Sequence, residues 1–319
     1  MKIVIMNKEV IKMDMYQKRK IRAEKKNNNQ EEKLTKVGIN WYPGHMAKTK
    51  REIKEKIDLI DIVFEVVDAR IPYSSKNKEI EEMTKGKPRV IVMTKIDLCD
   101  NDKTNKWIKY YEDKDYIVVP MDLINNPNTK IIFDKIKPLI DDINKKRISK
   151  GLKPRRARIL VMGVPNTGKS TLINRLVDKK STNVGNRPGV TKSLEWIRIN
   201  DKVELLDTPG ILWPKLDDEV VAHNLASMTA IKEEVLDSED LAIYIINKML
   251  SDYPDNLKNR YNITNTEDIV DILDQIGNKV GAIKNKETDY DRVYKKVIKD
   301  LQEGYLGKIT FDNIKEKEV

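Results

Sequence analysis

Residues 158–171 have the sequence Arg-Ile-Leu-Val-Met-Gly-Val-Pro-Asn-Thr-Gly-Lys-Ser-Thr. An apolar run suited to a buried strand leads into Gly163-x-x-x-x-Gly168-Lys169-Ser170, and a helical pattern follows. Such a loop turns tightly so that backbone N–H groups face a phosphate, and the helix adds the positive end of its dipole. The segment therefore predicts a P-loop between a strand and a helix.

The predicted P-loop assigns roles to its residues. Lys169 is expected to bridge the β- and γ-phosphates of a nucleotide, and the Ser170 hydroxyl is expected to be a ligand of Mg²⁺. The residues predicted to bind the nucleotide in this segment are Asn166, Thr167, Gly168, Lys169, Ser170 and Thr171.

Two segments after the P-loop are predicted to complete the phosphate site. Leu205 to Gly210 places Asp207 at the carboxyl end of an apolar strand, where ligands of open α/β sheets collect. Asp207 is expected to hold Mg²⁺ through a water, and the Gly210 amide to meet the γ-phosphate. Thr191 ends Arg-Pro-Gly-Val-Thr, where a first switch loop is expected to offer a hydroxyl to Mg²⁺. The alternative for Asp207 is an ordinary Asp-Thr-Pro-Gly turn.

A base-reading segment is predicted before the P-loop. In Thr94-Lys95-Ile96-Asp97, the Asp97 carboxylate can accept two hydrogen bonds from guanine, whereas adenine has no matching donors. The Lys95 stem is expected to pack over the base. Thr94 stands where Asn is usual, which alters one polar contact and leaves the affinity open. Because this segment precedes Gly163 by 66 residues, counted from Asp97, the order of the GTPase parts is permuted.

Composition limits the class of protein. The 319 residues carry 61 Lys and Arg against 51 Asp and Glu, a net charge of +10, which favours polyphosphate partners. The basic run from Lys145 to Arg158 is either functional or a solvated linker.

The single cysteine, Cys99, excludes an internal disulfide and a cysteine-based zinc site. No apolar run approaches the ~18 residues of a membrane span, so a soluble cytoplasmic protein without a membrane partner is expected.

The pattern of elements predicts an α/β fold. Residues 1–37 are predicted to be a basic, disordered or partly helical arm; alternatively, they are an extension without function. Residues 38–215 are predicted to form a permuted G domain with a mostly parallel sheet and helices on both faces. Residues 216–319 are predicted to be a small, all-helical C-terminal domain. Predicted strands cover 62–67, 89–93, 116–119, the run before Gly163, 194–199 and 203–206, with a tight hairpin at 200–201. Predicted helices include 105–111, 129–144 and 168–177.

Six motifs together closely resemble those of the circularly permuted ribosome-biogenesis GTPases of the RbgA (YlqF) family. They are Trp41-Tyr42-Pro43-Gly44-His45-Met46-Ala47-Lys48, Asp68-Ala69-Arg70-Ile71-Pro72, Thr94–Asp97, Gly163–Thr171, Pro188-Gly189-Val190-Thr191 and Asp207–Gly210. The resemblance implies a GTP-hydrolysing assembly factor that binds the maturing large ribosomal subunit. It further implies that the C-terminal domain helps to contact ribosomal RNA. A monomer is expected.

The resemblance also points to the catalytic group. Many GTPases orient the attacking water with a Gln just after Asp-x-x-Gly, but Ile211 stands there, so intrinsic hydrolysis is expected to be slow. The family resemblance implies that His45 orients or deprotonates water; alternatively, His45 contacts RNA or stabilises the Pro-Gly turn. Asn166 resembles the P-loop Asn of potassium-stimulated GTPases, which makes K⁺ a candidate cofactor besides Mg²⁺; alternatively, it only stabilises the loop.

Two other functions remain open from the residues. A nucleoside kinase or ATPase would use the same P-loop but would leave Asp97 and Thr191 unexplained. A non-catalytic RNA-binding module that needs GTP only for folding would be consistent with Ile211.

Overall fold

The computed structural model describes residues 44–177, 195–209, 218–231 and 236–314, with the backbone alone at residues 44–46, 78, 80 and 195. The chain divides into two compact units. The sheet unit comprises Asn40–Val235 and Gly307–Val319, and the helical unit contains Leu236–Leu306. The predicted boundary at residue 216 therefore differs from the observed one at Leu236, and the chain returns to the sheet unit after Leu306.

The sheet unit contains one six-stranded sheet with the order β3-β2-β1-β4-β6-β5. All neighbours pair in parallel except β5 and β6, which are antiparallel. The strands are β1 (Ile62–Asp68), β2 (Arg89–Thr94), β3 (Ile117–Met121), β4 (Ala157–Met162), β5 (Glu195–Arg198) and β6 (Val203–Asp207). The mostly parallel α/β sheet predicted from the alternating pattern is confirmed.

Helices precede, connect and follow the strands of the sheet. In the sheet unit they are α1 (Gly44–Lys56), α2 (Lys78–Met83), α3 (Asn101–Glu112), α4 (Lys130–Ser149), α5 (Lys169–Leu176) and α6 (Glu219–Ser227). The helical unit contains α7 (Ser238–Asp252), α8 (Pro254–Tyr261), α9 (Ile269–Val280) and α10 (Tyr290–Gln302). In that unit the apolar side chains of Leu241, Ile245 and Ile246 are buried. A short hairpin, β7 (Ile283–Lys284) and β8 (Glu287–Thr288), adds two strands to this otherwise helical unit.

Apolar side chains cover both faces of the central strands, as a parallel sheet requires. Alternate residues of β1 point to opposite sides: Phe64 and Val66 belong to the core cluster that includes Ile132 of α4, whereas Val63 packs in a separate cluster with Ile53 of α1. The last residues of β1 and β2 pair, Asp68 with Thr94, so that the loops after these strands begin at one edge of the sheet.

The basic run at 145–158 is partly helix and partly bound to the sheet. Helix α4 continues to Ser149, beyond the predicted end at residue 144. After the helix, Arg155 donates to both oxygens of Asp61, and Arg158 donates to Glu204 at 2.7 Å. The first ion pair joins the run to Asp61, the residue just before β1, and the second joins β4 to β6. The basic run therefore contributes to the fold and is not only a solvated linker. No described helix has the length and hydropathy needed to cross a bilayer.

The last described residues pack into the sheet unit. We call Gly307–Asp312 the C-terminal strap. Its Asp312 is buried, and one carboxylate oxygen accepts from the Tyr73 and Ser74 amides, both at 2.8 Å. The other oxygen accepts from the Ser74 hydroxyl at 2.6 Å and from Asn224 of α6 at 2.9 Å. The Asp312 carboxylate thus connects the C-terminal strap to the loop after β1 and to helix α6.

We predict that Asp312→Ala lowers the free energy of unfolding of the sheet unit by about 3 kcal/mol, because it leaves several buried donors without their charged acceptor. Urea unfolding followed by circular dichroism measures the change. Asp134→Ala, on an exposed position of α4, is the matched control and should stay within about 0.5 kcal/mol of the original protein. An equal effect of the two substitutions would contradict the prediction.

Candidate functional site

The loop after β4 has the close packing that its glycines permit. A Cβ on Gly163 would lie 2.4 Å from the carbonyl oxygen of Val66 in β1, so no larger residue fits at the start of the loop. Gly168 has φ of +92°, in the left-handed region, and immediately precedes α5. The following helix begins at Lys169, and its first N–H groups have no intrahelical partner. The loop therefore supplies the backbone donors that a phosphate needs.

Lys169 is buried within the P-loop. Its ammonium donates to the Val164 carbonyl at 2.7 Å. Burial lowers the pKa of Lys169 to about 8, although the nearby Asp207 carboxylate opposes this change; the Lys95 charge adds to it. A buried ammonium with a lowered pKa lies beside the carboxylate predicted to hold Mg²⁺, which is the charge arrangement of a phosphate site.

The segment predicted to read the base is joined to the P-loop by two hydrogen bonds. The Thr94 hydroxyl, fully buried at the end of β2, donates to the Thr167 carbonyl at 2.6 Å and lies 3.0 Å from the Val67 carbonyl. The Lys95 ammonium donates to the Asn166 carbonyl at 2.7 Å. The structure thus brings together two predicted segments that are far apart in the chain. Threonine, in the position usual for asparagine, makes a direct bond to the P-loop.

Asp68 is a further member of the site. Its carboxylate accepts from the Lys95 ammonium at 2.8 Å and from the Arg70 side chain at 2.9 and 3.0 Å. Burial by itself would raise the pKa of Asp68, but the Arg70 and Lys95 charges outweigh it and hold the pKa well below its usual range. Asp68 is therefore a permanent anion that fixes the Lys95 side chain.

Asp97, the predicted guanine acceptor, lies in a single 3₁₀ turn, Ile96–Leu98, directly after Lys95. Lys95 has φ of +60°, which turns the chain sharply between β2 and this segment. Asp97 is half-buried, and none of the described hydrogen bonds or ion pairs involves its carboxylate. Its position after β2 and beside the P-loop contacts is compatible with the predicted role.

The candidate Mg²⁺ residues lie on neighbouring elements. Asp207 ends β6 and pairs in register with Val161 of β4, which leads into the P-loop. Ser170 and Thr171 occupy the first turn of α5. A hydroxyl and a carboxylate suit Mg²⁺, which keeps several waters and takes further ligands from phosphates. Thr191 and Gly210 lie outside the described residues. His45 is in the first turn of α1, and its side chain is also outside the description.

Asn166, the candidate K⁺ ligand, makes a contact that the sequence does not indicate. Its side-chain amide donates to the Thr229 carbonyl at 2.7 Å and to the Thr229 hydroxyl at 3.2 Å. Both residues have positive φ, +60° for Asn166 and +62° for Thr229. Both bonds to Thr229, in the turn after α6, use the amide nitrogen of Asn166 and not its side-chain oxygen.

Sequence reasoning missed the roles of Asp68 and Thr229. Asp68 had a usable signal, because an acid at the carboxyl end of an apolar strand beside β2 resembles the pattern that identified Asp207. Thr229 had none, since its contact depends on the turn that follows α6.

Comparisons with known proteins agree with this geometry. A family model described as 50S ribosome-binding GTPase matches residues 158–286. The curated ribosome biogenesis GTPase A of Bacillus cereus is 43% identical over 280 residues, which cover 87% of this chain and 95% of that protein. The protein of the same name from Priestia megaterium is 43% identical over 283 residues, covering 88% and 98%.

Solved structures give the same fold. The GNP-bound YlqF from T. maritima superposes with a TM-score of 0.59 at 24% identity, over 83% of this chain and 98% of that one. A GDP-bound YlqF structure gives a TM-score of 0.61 at 23% identity, over 83% and 100%.

We predict that GDP binding takes up protons through Lys169 in the range near pH 8. Phosphates keep the bound ammonium charged, whereas the free protein loses that proton around pH 8, so uptake should rise from about 0.1 proton at pH 7 to about 0.5 at pH 8. The GDP affinity falls correspondingly as the pH rises. Calorimetric titration in buffers of different ionisation enthalpy measures the uptake.

The matched control for this titration is Lys137→Met, which removes an exposed lysine that pairs with Asp141 on α4. It should leave the uptake unchanged at both pH values. Identical uptake at pH 7 and pH 8 in the original protein would contradict the assignment to Lys169.

Proposed function

The chain belongs to the ribosome biogenesis GTPase A family, and on that premise we propose that it acts in late maturation of the large ribosomal subunit. It is a GTPase that hydrolyses GTP to GDP and phosphate. The observation that supports specificity for guanine nucleotides is a pair of hydrogen bonds: Thr94 and Lys95 donate to the P-loop carbonyls of Thr167 and Asn166. This geometry supports the proposal that Asp97, in the segment after β2, reads guanine beside the phosphate loop.

The large subunit is the proposed partner. The matching family model is described as 50S ribosome-binding, and the net charge of +10 suits an RNA-rich surface. Residues 1–50 alone have a net charge of +8, from thirteen Lys or Arg and five Asp or Glu. We assign contacts with ribosomal RNA and proteins to the predicted basic arm, residues 1–37, and to the helical unit. A cytoplasmic monomer belongs to the same proposal.

Mg²⁺ is the proposed metal cofactor, held by Ser170, Thr191 and, through water, Asp207. When bound, it would neutralise charge on the β- and γ-phosphates. Lys169 would bind the same phosphates, and the Gly210 amide would donate to the γ-phosphate. Asn166 is the proposed ligand of a K⁺ ion. The bond from its amide nitrogen to Thr229 supports this, because it leaves the side-chain oxygen for other contacts.

The water-activating group is proposed to be His45. Ile211 has no hydrogen-bonding side chain, so a second group must orient the attacking water. Imidazole can do so near neutral pH, and turnover is slow until the ribosomal particle completes the site.

The function is tested by measuring GTP turnover alone and with purified large or small ribosomal subunits. In the original protein we expect stimulation by the large subunit only, and no competition for the site by ATP. Absence of stimulation by either subunit would favour a non-catalytic RNA-binding module, and efficient ATP use would favour a kinase or ATPase.

We predict that His45→Ala lowers the stimulated turnover at least ~10-fold, the order that loss of a general base produces, with the GTP affinity nearly unchanged. His223→Ala is the matched control, since the other histidine of the chain lies on α6 and its ring bonds to the Glu219 carbonyl. Unaltered stimulated turnover in His45→Ala would remove His45 from the mechanism.

Replacing K⁺ by Na⁺ at fixed ionic strength is predicted to lower the stimulated turnover, because the larger ion fits a site shared by the Asn166 oxygen and the phosphates. Asn166→Asp keeps an oxygen ligand, and Asn166→Leu removes it. Only the leucine variant should become insensitive to the exchange of cations. Equal rates in both salts for the original protein would exclude a K⁺ site.

A further inference from the structure

The C-terminal strap lies against the loop that carries Asp97. The Ile309 amide donates to the Leu98 carbonyl at 3.1 Å, and the Phe311 amide donates to the Arg70 carbonyl at 2.8 Å. Ile309, Thr310 and Phe311 are all buried, with at most 1% of each exposed. The strap is therefore packed between the base-reading segment and the segment that contains Asp68 and Arg70.

Thr310 makes the central polar contact of the strap. Its hydroxyl lies 3.3 Å from the Ala69 carbonyl, to which it donates, and accepts from the Asp100 amide at 3.3 Å. The Thr104 hydroxyl of α3 lies 3.1 Å away. A hydroxyl has one donor and two acceptor positions, so it can bond to all three neighbours at once. The group thereby joins three segments around the base-reading loop.

We propose that Thr310 is a positioning residue for guanine recognition, because the strap fixes the far side of the loop that presents Asp97. This inference rests on the proposed role of Asp97 as the guanine acceptor. Thr94 and Lys95 hold the near side of the loop on the P-loop carbonyls. Leu98 and Asp100 hold its far side on the strap.

The loop must be held on both sides because guanine recognition depends on the orientation of the Asp97 carboxylate. A carboxylate that accepts two hydrogen bonds from guanine must be aligned with both donors, and hydrogen bonds weaken steeply when their angles deviate. With the near side alone fixed, the 3₁₀ turn could rotate about Lys95 and lose the second bond. The strap restricts that rotation because it bonds to the Leu98 carbonyl and to the Asp100 amide, one and three residues after Asp97.

The test compares binding of GDP, IDP and ADP to the full chain. IDP lacks the 2-amino group, so it makes only one of the two bonds to Asp97, and ADP makes neither. We expect the original protein to prefer GDP over IDP. Thr310→Val keeps the shape of the side chain and removes the hydroxyl, and it should reduce the GDP-to-IDP affinity ratio roughly 3- to 10-fold, the effect of about one hydrogen bond. ADP binding should not change.

Matched variants separate positioning from general destabilisation. Thr310→Ser restores the hydroxyl and should restore the ratio. Thr264→Val removes a hydroxyl that bonds to Gln275 in the helical unit, and it should leave the ratio unchanged. A purely structural role would lower the melting temperature and weaken GDP, IDP and ADP alike, with the ratio preserved.

If Thr310→Val does not fold, Thr104→Val tests the same proposal, because it removes the hydrogen bond between the Thr104 hydroxyl of α3 and the Thr310 hydroxyl. It should lower the ratio in the same direction. Equal binding of GDP and IDP by the original protein would overturn the role of Asp97 and the positioning role together. A clear preference that both valine variants retain would overturn the positioning role alone.

Discussion

The Lys95 ammonium, bound between the Asp68 carboxylate and the Asn166 carbonyl, is the interaction on which the site depends. The two loops that it joins follow β2 and β4, which lie on either side of β1. Asp68 ends β1, so the middle strand supplies the anion between the two loops. Because Asp68 is buried and kept ionised by Arg70 and Lys95, the attraction is not screened as it would be at the surface.

This arrangement explains why a permuted order of motifs is compatible with one site. The carboxyl ends of parallel strands lie at one edge of the sheet, and β1, β2, β4 and β6 all end there whatever their order in the chain. The contacts that matter connect strand ends, Asp68 with Lys95 and Thr94 with the P-loop. Permutation changes which connections link the strands, and it leaves these neighbours in place.

Local signals made the P-loop, the Asp207 strand and the parallel sheet predictable. Glycine and lysine spacing defines the loop, and short apolar runs define buried strands, so both are visible within about ten residues. The contact of Thr310 with Asp100 joins residues 210 apart, and that of Asn166 with Thr229 joins residues 63 apart. No local pattern encodes such pairs. The hairpin of the helical unit was missed because each strand has two residues, too few for an alternating pattern.

The return of the chain into the sheet unit changes how the helical unit must be studied. Leu236–Leu306 lies in sequence between two parts of the sheet unit, so it is an insertion and not a terminal appendage. A truncation at residue 235 therefore also deletes Thr310 and Asp312, with their bonds to Asp100 and Ser74. Loss of nucleotide binding in such a truncation would not identify the helical unit as its cause. Replacing residues 236–306 with a flexible linker keeps the C-terminal strap and removes only the inserted unit.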